Sequence, residues 1–144
     1  MLKKIIEQIE QITKTISDNS DKKFFSKTIG RLREKQDTEE DFQSTENVKN
    51  IIIKDNHLSQ TNMEIDGEKI KVIFGHIYSQ EGYTDVYTEY IKLIISEEEY
   101  SISEAKENNK ELFQKIKKTF REKIQEDINK LYKEKQQQFN NLKY

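Results

Sequence analysis

Residues 65–78, Ile65-Asp66-Gly67-Glu68-Lys69-Ile70-Lys71-Val72-Ile73-Phe74-Gly75-His76-Ile77-Tyr78, decide the fold, because their pattern repeats every two residues rather than every three or four. Ile70, Val72, Phe74, His76 and Tyr78 share one face, and Lys71, Ile73, Gly75 and Ile77 share the other. That period belongs to a β-strand. Asp66-Gly67 stands just before the strand, with Asn62 to Ile65 alternating briefly on its far side. The type I′ two-residue hairpin turn needs positive φ at both central positions, and Asp-Gly supplies it cheaply. The stretch therefore predicts an antiparallel pair folded about Asp66-Gly67.

Working outward, a seven-residue connection from Ser79 to Asp85 leads into a second alternating run, Val86 to Ile95. There Tyr87, Ile91, Leu93 and Ile95 form an apolar face interrupted by Glu89, with Thr88, Tyr90 and Lys92 opposite. Upstream, the β-branched run in Val48 to Lys54 adds a further strand. The expectation is an antiparallel meander of three to four strands, terminated by Glu97-Glu98-Glu99.

The flanks change period. Leu2, Ile5, Ile9, Ile12 and Ile16 fall on one helical face, which predicts an amphipathic helix over 2–16. Ser17 to Asp21 are helix-ending and capping types, and Ser20 or Asp21 is placed to cap a second helix running to about Lys35, with Phe25, Ile29 and Leu32 buried. Ser101 and Glu104 fit a capping box for the last helix. Its stripe, Phe113, Ile116, Phe120, Ile124, Ile128, Leu131, Lys135, Phe139 and Leu142, keeps the 3.6-residue period of a straight helix lying on a sheet. The stripe thins beyond Leu131, which predicts a projecting end at about 132–144. Segment 36–48 carries Asp37, Glu39, Glu40, Asp41 and Glu46, with no base and Phe42 as its one large apolar residue, and reads as loose. The fold class is α+β: two N-terminal helices, the meander, and a long C-terminal helix packed across it, in a single domain over 1–144.

Composition agrees with a modest core. Of 144 residues 33% are hydrophobic and 36% charged, below the apolar share of most globular domains, yet the net charge of −2 is too small to enforce disorder. Cysteine is absent, which removes disulfides, thiolate metal sites and cysteine nucleophiles. Polar residues Glu7, Gln8, Glu10 and Gln11 break up the apolar stretch a signal peptide would need, and no run approaches the ~20 apolar residues that span a bilayer. The expectation is a cytoplasmic protein with no membrane association. Lysine, isoleucine and asparagine crowd out alanine, arginine and proline, a bias of AT-rich genomes.

No pattern carries catalysis, a cofactor or a metal. His76 continues an apolar strand face, where a partly buried, hydrogen-bonded imidazole is the simple expectation. His57, in Asp55-Asn56-His57, lacks the downstream helix and later ligand that a ββα nuclease site requires. Asp18, Ser20 and Lys22 begin a calcium-loop spacing and then fail it. The glycines form neither a phosphate loop nor a dinucleotide fingerprint. The expected catalytic, cofactor-binding and metal sets are therefore empty.

Binding surfaces are better marked. Tyr78, Tyr83, Tyr87, Tyr90 and Tyr100 cluster within 78–100, and tyrosine joins large area to a polar tip, as interfaces favour. Tyr78, Glu81, Tyr83, Asp85 and Tyr90 are the expected protein contacts. Lys23, Lys27 and Arg31 follow one another at i, i+4, i+8 and form the alternative, an edge able to track phosphates. The expected function is a non-enzymatic protein-binding module, of a kind that suits a mobile-element inhibitor (anti-CRISPR-type) of a nucleic-acid-handling effector. The alternatives are an RNA- or DNA-binding accessory subunit using 22–33, or a structural subunit of a larger assembly.

Overall fold

The computed structural model describes residues 2–36 and 43–142, with the side chains of 10–19 outside the description. Helix α1 (Leu2–Gln36) precedes strands β1 (Val48–Ile53), β2 (Asn56–Ile65), β3 (Glu68–Glu81), β4 (Thr84–Ile95) and β5 (Glu98–Tyr100). Helices α2 (Ile102–Asn108) and α3 (Lys110–Leu142) follow. The strands form one antiparallel sheet in chain order. The α+β architecture with a long C-terminal helix against the sheet is as expected.

Three details differ from the expectation. The N-terminal helices are one, because Ser17 to Asp21 contains no proline or glycine and each residue costs only tenths of a kcal/mol in a helix. Asp21 does not cap. Its buried carboxylate instead accepts from Lys117 Nζ at 2.9 Å and Lys106 Nζ at 3.2 Å, which ties α1 to α2 and α3. The sheet has five strands, because Lys54-Asp55 and Ser96-Glu97 form tight turns with φ of 48° and 66°, and 49° and 73°, without a glycine between them. Glu98 to Tyr100 thus returns as β5 rather than ending the sheet. The C-terminal helix is interrupted at Asn109. The capping box of Ser101 and Glu104 starts the short α2, and Asn109 Oδ1 accepts from Leu112 N to start α3.

The core lies between the sheet and the helices. Ile70, Val72 and Phe74 of β3, Leu93 and Ile95 of β4, and Met63 of β2 meet Phe25 and Leu32 of α1 and the stripe Phe113, Ile116, Phe120, Ile124, Ile128 of α3. Phe120 stands 5.3 Å from Phe25 and 5.9 Å from Phe74 between ring centroids, so one side chain of α3 joins α1 to the sheet. Asp21 meets Lys117 and Arg31 meets Gln125, so α1 and α3 run side by side in the same direction.

Residues 37–42 of the acidic segment lie outside the described residues. Its end is anchored: the buried Asp127 of α3 accepts from Asn47 N, Asn47 Nδ2 and Thr45 Oγ1. Gln36 is buried at the end of α1, and Val48 is buried at the start of β1. Every residue of α3 from Tyr132 to Leu142 is exposed, and Leu131 just before them is half-buried. No described helix is long and apolar enough to cross a membrane.

Candidate protein-binding site

Beyond the pair Leu58↔Gly75, β2 no longer accompanies β3, while β3 and β4 stay paired from His76↔Glu89 to Glu81↔Thr84. The core-facing row of β3 therefore runs past the helices into the open. His76 is exposed, which corrects the expectation of a part-buried imidazole: pairing with β2 has ended at this rung, and α1 reaches the opposite member, Glu89, through Ser26 without burying the imidazole. Tyr87 is 66% exposed as well, and the apolar face of β4 is covered only from Ile91 onward.

The connection between the two strands is shorter than seven residues. Pairing continues to Glu81↔Thr84, which leaves a two-residue loop, Gly82-Tyr83, with φ +60° at Gly82. A positive φ at the first loop position suits the right-handed twist of the ribbon, and glycine supplies it without strain. This loop puts Tyr83 at the extreme tip, fully exposed, with Glu81 exposed beside it.

Register then sorts the expected contacts. Tyr78 pairs with Tyr87, and Gln80 with Asp85, so Tyr78, Tyr87 and Asp85 share the face that carries the core lower down. The Tyr78 and Tyr87 rings lie 5.3 Å apart, and Tyr78 OH donates to Asp85 Oδ1 at 2.7 Å. That hydrogen bond to a carboxylate holds the Tyr78 phenol above its ordinary pKa, with desolvation and the nearby Tyr87 adding to it. Tyr90 is not part of this group. It pairs with Gly75 and lies on the opposite face, half-buried.

The ribbon and α1 meet where Ser26 Oγ donates to Glu89 Oε1. Alongside, a cleft of about 250 Å³ is lined by Arg33, Asn50, Asp55, His57, His76 and Tyr78, among others. The two histidines are far apart in the sequence, and only the non-local register of β2 on β3 brings them together. Neither imidazole is hydrogen-bonded to a hydroxyl or carboxylate, and no group of three metal-ligating side chains occurs, among the described residues. The cleft offers polar donors and acceptors to a small polar group.

Lys23, Lys27 and Arg31 are exposed along α1. Arg31 Nη2 donates to Gln125 Oε1 at 2.8 Å, so the third member of this edge is engaged with α3. No protein-family model, no curated protein and no solved structure matches this chain.

Proposed function

We propose that this chain is a protein-binding module whose contact surface is the projecting β3–β4 ribbon, with Tyr83 as its leading anchor. The observation that carries the reading is the placement of a fully exposed tyrosine at a tight hairpin tip, backed by the exposed pair Tyr78 and Tyr87. An isolated two-stranded ribbon gains little from such residues in the free protein, whereas a buried tyrosine is a frequent hot spot in an interface. An inhibitor of a nucleic-acid-handling effector is the narrower form of this proposal, in which the partner is such an effector.

The test is affinity capture with the wild-type chain, Tyr83→Ala, and a triple reversal of Lys23, Lys27 and Arg31 to glutamate. The reading expects a discrete partner whose affinity falls at least tenfold in Tyr83→Ala and changes little in the reversal. Direct nucleic-acid binding with a log–log salt slope of about two to three, lost in the reversal, would replace it with the phosphate-tracking alternative.

A further inference from the structure

The ribbon has a second feature besides its tyrosines. β5 covers β4 only from Leu93 to Ile95, so Thr84 to Lys92 have no strand on the side away from β3 among the described residues. The two-residue loop makes Glu81↔Thr84 a hydrogen-bonded pair, and in an antiparallel ladder such pairs alternate. Thr84, Val86, Thr88 and Tyr90 thus spend their backbone groups on β3. Asp85, Tyr87, Glu89 and Ile91 direct N–H and C=O outward, a template for another strand.

Charge on this edge selects its occupant. Asp85 and Glu89 stand four residues apart on one face, with Tyr87 between them. Each carboxylate accepts a hydroxyl hydrogen bond, from Tyr78 and Ser26 respectively. His76 faces Glu89 across the ladder. Neither carboxylate forms an ion pair with lysine or arginine among the described residues. Two copies joined antiparallel about Tyr87 would set Asp85 against Glu89 twice, and like charges directly opposed destabilise a strand pair. A second copy of this chain is therefore disfavoured, and a basic strand is favoured.

We propose that the free edge of β4 receives an extended segment of the partner as an added strand, with basic residues facing Asp85 and Glu89 and an aromatic or aliphatic residue facing Tyr87. This rests on the reading of the chain as a protein-binding module and supplies the mode of contact. Backbone hydrogen bonds provide the pairing, the two carboxylates set the register, and Val86, Thr88 and Tyr90 offer a less polar row on the other face.

The probe is an acetylated, amidated peptide Thr-Lys-Val-Tyr-Val-Lys-Thr, with Thr-Glu-Val-Tyr-Val-Glu-Thr as control, titrated into the isotope-labelled full chain and followed by amide NMR. The proposal expects shifts and slowed hydrogen exchange centred on Asp85, Tyr87, Glu89 and Ile91. It also expects at least tenfold tighter binding of the lysine peptide, and a reversed preference in the double variant Asp85→Lys, Glu89→Lys. Tyr87→Pro removes an outward N–H without touching the β3 ladder, so it must weaken binding well beyond Tyr87→Ala. Shifts centred elsewhere, or equal affinity for both peptides, overturn the proposal. A captured partner that needs Tyr83 yet binds Tyr87→Pro and Tyr87→Ala equally overturns strand addition and leaves the protein-binding reading standing.

Discussion

Phe120→Ala is the substitution that the packing predicts to be among the most damaging. The side chain is fully buried, and its ring touches Phe25 of α1 and Phe74 of β3, so its removal opens a void where helix pair and sheet meet. Burial of a phenylalanine removes on the order of 150–200 Å² from water, worth about 4 kcal/mol at 25 cal/mol per Å². Phenylalanine-to-alanine changes in cores cost roughly 3–5 kcal/mol, and loss of two ring contacts places this one in the upper half. For a chain of 144 residues that is a fall of roughly 13–17 °C in Tm. Urea unfolding followed by far-ultraviolet circular dichroism should show a lower midpoint at unchanged slope. If the alanine variant fails to fold, Phe120→Leu should still fold and lose roughly 1–2 kcal/mol. Tyr83→Ala, in contrast, should stay within about 0.5 kcal/mol of wild type. A loss below about 1.5 kcal/mol for Phe120→Ala would refute the placement of this residue at the junction of the layers.

Other consequences are open to simple measurement. Asp127→Ala strips the acceptor from Asn47 and Thr45 and should cost roughly 2–4 kcal/mol, with faster amide exchange at Asn47; unchanged exchange there would refute the anchoring role. The Tyr78 phenol should titrate above the usual tyrosine value by ¹³C NMR, and Asp85→Asn should bring it back down. Because the folded-state pKa is the raised one, the stabilisation from this hydrogen bond is fully present below the unfolded-state pKa and disappears as pH climbs through the folded value. A Tyr78 titration unmoved by Asp85→Asn would contradict the hydrogen bond.

How much was legible in the sequence follows from which forces are local. The alternation of Ile70 to Tyr78, the turn at Asp66-Gly67, the capping box and the stripe of α3 are all local signals, and each marks a real element. The turns at Lys54-Asp55 and Ser96-Glu97 were not legible, because they lack glycine, only Asp55 among the four residues has even a weak preference for positive φ, and the strands on either side hold them there. The same holds for Ser17 to Asp21, where pairing of Asp21 with lysines from α2 and α3 outweighs its preference for a cap. In the site, Tyr83 was legible because it follows Gly82 between two strands. The separation of Tyr90 from Tyr78 was not legible, because a seven-residue connection leaves cross-strand register undefined, whereas the two-residue loop fixes it and puts them on opposite faces. The meeting of His57, His76 and Arg33 depends on non-local strand register and on the path of α1, which no local pattern encodes.

Amide hydrogen exchange of the whole chain, free and saturated with its captured partner, tests the central claim most directly. If the β3–β4 ribbon is the contact surface, protection on binding concentrates between His76 and Ile91, while exchange in α1 from Lys22 to Arg33 is unchanged. Protection confined to that basic stretch of α1, with the ribbon exchanging as in the free protein, would contradict the account.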